Sequence, residues 1–375
     1  MKRLTALFLA GLVFVFNIIN MSGFGAAYHT EQYTRLLLLA FTAVLILFRE
    51  KRAILLDRRI FLCVIGVAVT FGLSAVMSGT LQQAYAALTC FLLTYIFSKF
   101  RINDTAMRLI GWMLLIGAYS LLLIYEKTTW ISGWNPNAIA MLSFFSFIVY
   151  MATAMFSPIW KERLAAIIVS IGYIALLLET DARSSAICAL LSILIAMFPA
   201  KSEWLPCSRG IRQVVLHEAL LLVIAVVLLY KSPFFQGLDT WSLEIFGKPI
   251  FNGRETTWGL GIQIFLSHVL LGSGKLNIEN WHNWALSLMT AYGLLGYLSW
   301  TGLVECLLEK SVPYLRDSMV LGCVTSFLLI LLQQSVELGL IGYQNVHLIP
   351  YMLLGLMFGR IRYLRTRGDK NCDFS

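Results

Sequence analysis

Long runs of apolar residues without charge recur along this chain of 375 residues. A helix that crosses a bilayer needs about 20 such residues, and an open sheet edge finds no hydrogen-bond partners in lipid. The runs are also too continuous for the alternating pattern of barrel strands. Charged residues make up only 13% of the chain, against about 25% in soluble domains. The sequence therefore predicts an all-α polytopic membrane protein.

The apolar runs predict about twelve transmembrane helices. No linker or low-complexity tract divides them, so residues 1–375 are expected to form a single transmembrane domain. Three runs are short for a perpendicular crossing and need flanking residues or burial among their neighbours. The predicted spans are 4–21, 35–48, 60–78, 80–98, 108–125, 137–156, 164–180, 184–199, 213–230, 284–304, 318–337 and 346–359.

The basic residues give these spans a direction, because Lys and Arg accumulate in cytoplasmic loops. If both termini are cytoplasmic, every inner segment is basic. The basic residues that remain for the outer side are Arg35, Lys127, Arg183, Lys231, Lys248, Arg254 and Lys275. The net charge of +9 is thus a topology signal, and no nucleic-acid partner is expected. No cysteine falls in a predicted outer loop, so no disulfide is expected.

Two alternatives to this topology stay open. The first run follows Lys2 and Arg3 and precedes small residues at Gly23–Gly25, a pattern that also fits a cleaved signal peptide. Cleavage would leave the other spans oriented as before. The second alternative is a missed or merged pair of spans, since span boundaries are the least certain part of such a prediction.

One predicted outer segment, residues 231–283 between the ninth and tenth spans, is much longer than the others. Long loops on a rigid scaffold are functional candidates. Apolar residues recur at helical spacing over 255–270, which predicts an amphipathic helix that lies in the membrane interface or packs as a cover. The tryptophans expected at this face are Trp130, Trp134, Trp241, Trp258, Trp281 and Trp284. They either form an interfacial aromatic belt or stack on sugar rings.

Two outer arginines are candidates for a phosphate site. Arg183 interrupts a tight turn between two spans. It either pairs with Asp181 or snorkels to lipid headgroups, or it faces an outer cavity and binds phosphate. A guanidinium holds phosphate bidentately and keeps its charge. Together with Arg254, it would make a two-arginine clamp.

A histidine lies where the long segment meets the next span, in Trp281-His282-Asn283-Trp284. A lone interfacial histidine is usually an ordinary hydrogen-bonding group. An imidazole can also take a proton from a sugar hydroxyl near neutral pH. The flanking aromatic and amide residues favour this second interpretation.

Taken in order, these residues resemble the bacterial O-antigen ligase/polymerase family of membrane glycosyltransferases. The similarity covers roughly residues 135–300. The motifs that carry it are Asn135-Pro136-Asn137, the turn Thr180–Ser184, Gly253-Arg254 followed by Trp258, Gly272-Ser273-Gly274, His282-Asn283 and Gly293-Leu294-Leu295-Gly296.

The resemblance implies a C-type glycosyltransferase-like fold and a metal-independent reaction without a cofactor. The active site would lie on the periplasmic side of the bacterial cytoplasmic (inner) membrane. The donor would be a glycan linked to undecaprenyl pyrophosphate. A polymerase passes this glycan to a lipid-linked repeat unit, whereas an O-antigen ligase passes it to lipid A–core. The chain and its outer segment 231–283 are short for a ligase, which favours a polysaccharide polymerase.

The resemblance also implies roles for particular residues. Arg183 and Arg254 would stabilise the charge of the leaving lipid pyrophosphate, and His282 would activate the acceptor hydroxyl. The residues expected to bind substrate are Asn283, Trp281, Trp258 and Asn137. No metal site is expected. Membrane lipids and proteins of envelope polysaccharide assembly are the other expected partners.

A lipid-linked oligosaccharide flippase or other transporter is the alternative of a different class, and a non-catalytic scaffold is a third. Coupled transporters usually carry ionisable residues near the bilayer midplane and show related halves. Here the predicted spans are nearly uncharged at mid-depth, with Glu218 and Glu337 near span ends. The candidate groups gather on one face, which favours an enzyme with a one-sided site.

Overall fold

A helix lies at each of the twelve predicted span positions. The computed structural model describes residues 2–22, 28, 30–47, 58–127, 136–180, 182–275, 281–341 and 348–367. Within these residues every regular element is helical. The helices are α1 (Lys2–Met21), α2 (Thr30–Leu47), α3 (Arg58–Ser78), α4 (Leu81–Ser98), α5 (Asp104–Lys127), α6 (Pro136–Ala154), α7 (Trp160–Leu178), α8 (Arg183–Met197), α9 (Arg209–Leu229), α10 (Pro233–Phe246), α11 (Arg254–Ser267), α12 (Trp284–Ser311), α13 (Ser318–Gln334) and α14 (Ile349–Arg367).

Several of these helices meet the physical requirements for crossing a bilayer. Six of those described are both long and apolar enough. A seventh is α8 if it counts as one span with the two single turns that follow it, which bend away by 113°. The chain is therefore an all-α, multi-pass membrane protein. A count of twelve crossings stays a prediction.

Three helices form the centre of the bundle. Ile139–Ala154 of α6, Met319–Leu331 of α13 and Ile349–Ile361 of α14 are buried without interruption. The three helices pack against one another. Because these segments are buried on all sides by neighbouring helices, they make the inner layer of the domain.

The surrounding helices expose their outer faces. Less than a third of the apolar stretch is buried in α1, α3 and α9. Large apolar side chains such as Phe8, Met77 and Leu228 point away from the protein. A soluble monomer rarely exposes such a surface, whereas a lipid-facing surface requires it.

Buried ion pairs join helices at one end of the bundle. Arg360 of α14 pairs with Asp317 over 2.7 Å and also with Asp104 of α5. Asp317 accepts a hydrogen bond from the Val320 amide as the N-cap of α13. Further arginines lie toward the same ends of their helices, namely Arg108, Arg163, Arg209, Arg212, Arg362 and Arg365. We call this the basic end, and it corresponds to the end predicted to be cytoplasmic.

The helix α12 is broken at Gly293, whose φ is +66°. The chain between α11 and α12 lies along this break. The Leu294 amide donates to the Val269 carbonyl over 2.8 Å, and the Gly274 amide donates to Ala291 over 2.7 Å. Backbone groups freed by the break are thus satisfied by the crossing segment, as a membrane interior demands.

Close backbone contact at this crossing explains two glycine motifs. A Cβ atom on Gly272 would overlap the backbone of Ala291, and one on Gly293 would overlap Leu270. Both glycines also have positive φ, which side chains disfavour. Residues 272–274 and 293–296, noted in the sequence as parts of a family pattern, thus have a structural requirement of their own.

The long segment 231–283 contains two helices, α10 and α11. The helix predicted over 255–270 corresponds to α11 but ends earlier, at Ser267, because the following residues turn into the crossing. Its apolar residues are not confined to the packed side, since Leu260 and Leu266 are exposed. Trp258 is fully buried against α9. A Cβ on Gly261 would lie only 2.7 Å from the Leu286 side chain of α12. The helix therefore packs as a cover, which was one of the two interpretations.

Candidate functional site

The last turn of α13 is joined to the second turn of α6 and the first turn of α8 by buried polar side chains. Gln333 donates to the Ser185 hydroxyl of α8 over 3.1 Å. Gln334 donates to the Met141 sulfur of α6 over 3.0 Å. These bonds bring three helix ends together at the end of the bundle opposite the basic end.

Asn283 holds the start of α12 against these helices. Its Oδ1 atom accepts from the Leu286 amide over 2.9 Å, as an N-cap does. Its Nδ2 atom donates to the carbonyls of Ala219 and Ser335 over 3.0 and 2.7 Å. The preceding residue, His282, has a φ of +47°, which is uncommon outside glycine. The Asn283 cap thus holds the His282 backbone in this uncommon conformation and fixes the position of the imidazole.

A carboxylate organises the chain before α11 in a similar way. Asp239 accepts from the Phe251 amide over 3.0 Å and from the Tyr230 hydroxyl over 2.8 Å. Gly253, with a φ of +81°, then turns the chain into α11. Arg254 is the first residue of that helix. The left-handed backbone conformation of Gly253 therefore sets the position of Arg254.

Glu337 lies in a turn that follows α13. The Gln334 side chain closes this turn by accepting from the amides of Gly339 and Leu340 over 2.6 and 2.7 Å. The Glu337 side chain is only 14% exposed. A carboxylate so nearly buried requires partners for its charge.

Two of the predicted catalytic residues provide those partners. The Oε1 atom of Glu337 lies 3.6 Å from Nη2 of Arg254, and Oε2 lies 3.3 Å from Nδ1 of His282. We call these three residues the Glu337 cluster. Burial lowers the pKa of the Arg254 guanidinium, Glu337 opposes that shift, and the positive charge of Arg183 adds to it. Arg254 therefore interacts with the charges of both Glu337 and Arg183, and Glu337 also contacts His282.

Arg183 connects the start of α8 to the long segment. Its Nη1 atom donates to the Ser242 hydroxyl over 3.2 Å and to the Lys248 carbonyl over 3.3 Å. The adjacent Ser184 hydroxyl is buried and has no hydrogen-bond partner among the described residues. Asp181, the alternative partner predicted for Arg183, lies outside the described residues.

Trp258 and Trp281 are buried core residues. The Trp258 indole donates to the Trp281 carbonyl over 2.6 Å, and both rings pack with Val223 and Phe251. Trp284 is also fully buried. These three rings therefore do not form an interfacial belt, and their faces are covered by protein. The sugar contact predicted for Trp258 and Trp281 stays a prediction that would require the rings to move.

The remaining predicted residues are placed as follows. Asn137 lies in the first turn of α6, is partly exposed, and is one turn from Met141 at this end of the bundle. Asn283 uses its amide within the fold, so its predicted substrate contact is not visible in this arrangement. Trp241 of α10 is 52% exposed. Trp130, Trp134 and Asn135 lie outside the described residues.

Sequence reasoning did not single out two acidic residues of this region. Glu337 lies just after the end of α13, near a span end as predicted, and both Arg254 and His282 contact it. Glu218 was also expected near a span end, but it lies near the middle of α9. One of its oxygens is buried without a hydrogen-bond partner among the described residues. The only signal for either was an acid at the edge of an apolar run.

Comparisons with known proteins add no relatives. No protein-family model matches this sequence, and no curated protein shows significant similarity to it. Among the described residues, no group of three or more His, Cys, Asp or Glu side chains is arranged to hold a metal ion. The family resemblance therefore rests on the motifs in the sequence.

Proposed function

We propose that this protein is a membrane glycosyltransferase that polymerises lipid-linked glycan. The observation that carries the proposal is the contact of Arg254 and His282 with one carboxylate, Glu337, beside the charge of Arg183. The three residues that the family pattern singles out are far apart in sequence. Their placement at one end of the bundle is the arrangement that a single active site requires, and it supports the proposal.

The proposed reaction is transfer of a glycan from undecaprenyl pyrophosphate to a hydroxyl of a lipid-linked repeat unit. The bond between the anomeric carbon and the phosphate oxygen breaks, and a bond to the acceptor oxygen forms. Arg254 and Arg183 stabilise the negative charge that builds on the departing pyrophosphate. His282 accepts the proton that the acceptor hydroxyl loses.

The membrane setting of the proposal follows from the two ends of the bundle. The basic end would face the cytoplasm of a bacterial cell, because Lys and Arg accumulate there. The Glu337 cluster would then face the periplasm, where a flipped lipid-linked glycan is presented. The proposal retains twelve crossings and a C-type glycosyltransferase-like fold.

Reconstitution of the full chain tests the proposal. The purified protein is placed in proteoliposomes with a lipid-linked repeat unit as both donor and acceptor. A polymerase yields a ladder of longer lipid-linked glycans. Transfer only after lipid A–core is added would identify a ligase instead, and no transfer to either acceptor would contradict the enzyme proposal.

Glu218 supports a second candidate function, transport of a lipid-linked oligosaccharide. An ionisable residue near the middle of a span is typical of a coupled transporter, and Glu218 lies there with one unpartnered oxygen among the described residues. A transporter would move the lipid-linked unit across the vesicle membrane without lengthening its glycan. Its Glu218→Gln variant would lose that movement.

A further inference from the structure

We propose that Glu337 is a positioning residue that couples donor binding at Arg254 to the action of His282, an inference that rests on the glycosyltransferase function proposed above. The Glu337 carboxylate bridges the two side chains. A phosphate group replaces it at Arg254 when the donor binds. The Glu337 carboxylate then interacts with His282 alone.

First, Arg254 and Glu337 balance each other's charge. Arg254 is 21% exposed and Glu337 14% exposed, so each charge is largely removed from water. A buried charge without a partner is strongly destabilising. Glu337 thus acts as an internal anion, which keeps a phosphate-binding arginine in place before any phosphate arrives.

The second step is the exchange of anions at Arg254. Its contact with Glu337 is 3.6 Å long, beyond the range of a good hydrogen bond. A pyrophosphate carries more charge than one carboxylate and can bind a guanidinium through two parallel hydrogen bonds. Arg183, whose charge acts on Arg254, adds to the attraction. The pyrophosphate therefore displaces Glu337 from Arg254.

The third step concerns His282. A carboxylate only accepts hydrogen bonds, so a neutral imidazole must direct its Nδ1–H toward Glu337 at 3.3 Å. In the proposed reaction its Nε2 atom takes the proton of the acceptor hydroxyl. Once Arg254 binds phosphate, the whole carboxylate charge acts on His282 and stabilises the imidazolium that forms. Donor binding thus prepares the base for the acceptor.

The experiment measures binding and rate separately in the Glu337→Gln variant. Titration calorimetry with inorganic pyrophosphate reports the affinity of the arginine site, and reconstituted transfer reports kcat. Removal of the competing charge should tighten pyrophosphate binding about tenfold, while kcat falls at least about tenfold. A structural defect would lower both. Arg254→Ala should abolish pyrophosphate binding.

Two further variants make the result specific. Glu337→Asp keeps the charge, so it should bind pyrophosphate like the wild type and recover part of the lost kcat. Glu244→Gln removes an exposed outer carboxylate of α10 and should change neither quantity. Glu337→Asp also provides the test if Glu337→Gln does not fold, because equal losses of affinity and kcat in Glu337→Asp would overturn the coupling.

The outcomes separate this inference from the proposed function. If the wild type transfers glycan and Glu337→Gln has the same pyrophosphate affinity and kcat, the coupling is refuted and the enzyme proposal stands. The same conclusion follows if Glu337→Gln lowers pyrophosphate affinity and kcat together. Pyrophosphate binding that depends on Arg254 and tightens in Glu337→Gln, without any glycan transfer, would support the anion exchange and refute the glycosyltransferase.

Discussion

The Oε2 atom of Glu337 lies 3.3 Å from Nδ1 of His282, which precedes it by 55 residues. The contact joins the turn after α13 to the residue before the cap of α12. The Gln334 side chain closes the turn that carries Glu337, and the Asn283 side chain caps the helix that follows His282. The ionisable groups of the site are therefore held by helix ends and caps.

Asn283→Ala should destabilise the protein. The variant loses the N-cap of α12 and leaves buried carbonyls of Ala219 and Ser335 without their donor. We expect a loss of about 2 kcal/mol or more in the free energy of unfolding. The measurement is the thermal midpoint in detergent. Gln263→Ala, at an exposed position of α11, should leave it nearly unchanged, and equal midpoints for both variants would contradict the structural role of Asn283.

Gly293→Ala and Gly272→Ala should both disrupt the crossing at the broken helix. Each glycine has positive φ, and a Cβ on either would overlap the opposing backbone. Gly302→Ala is the matched control in the same helix, because nothing lies within 4 Å of a Cβ there. The control should fold as well as the wild type or better, since alanine favours a helix. Folded yield after detergent extraction measures the difference.

Cys63 and Cys306 should cross-link readily. Their sulfur atoms, on α3 and α12, are 3.6 Å apart. Mild copper-catalysed oxidation should join the two peptides, as detected by mass spectrometry after digestion. Cys63→Ser should abolish the product. A cross-link from Cys306 to buried Cys323 instead would contradict the packing of α3 against α12.

Cysteine labelling should distinguish the two ends of the bundle. In a Cys207→Ser background, Glu244→Cys on α10 should react with an impermeant maleimide from outside the cell. Glu203→Cys, at an exposed position between α8 and α9, should react only after the membrane is opened. The reverse pattern would invert the topology and contradict a periplasmic site.

The helices could be predicted from the sequence because their signal is local. A run such as 284–304 is apolar enough to specify its own helix, whatever its neighbours are. The break at Gly293 and the helix α10 escaped prediction. The break exists only because Val269 and Gly274 lie against it, and contacts between distant segments leave no periodic signal.

The site could be predicted only in part. Arg254 and His282 belong to recognisable motifs, and the structure brings both onto Glu337. Glu337 itself is a single acid after an apolar run, with no motif around it. For the two tryptophans, the sequence left two roles open. An indole suits a sugar and a protein core equally well, and only packing shows that Trp258 and Trp281 are used in the core.

Glycan transfer by the arginine and histidine variants is the most direct test of the account. Proteoliposomes containing a lipid-linked repeat unit are supplied with the wild type, Arg183→Ala, Arg254→Ala or His282→Ala. Each substitution should lower transfer at least about a hundredfold without loss of folded protein. The matched controls Lys231→Ala and His268→Ala, at exposed outer positions, should retain wild-type transfer. Transfer close to the wild type in Arg254→Ala or His282→Ala would contradict the proposed active site.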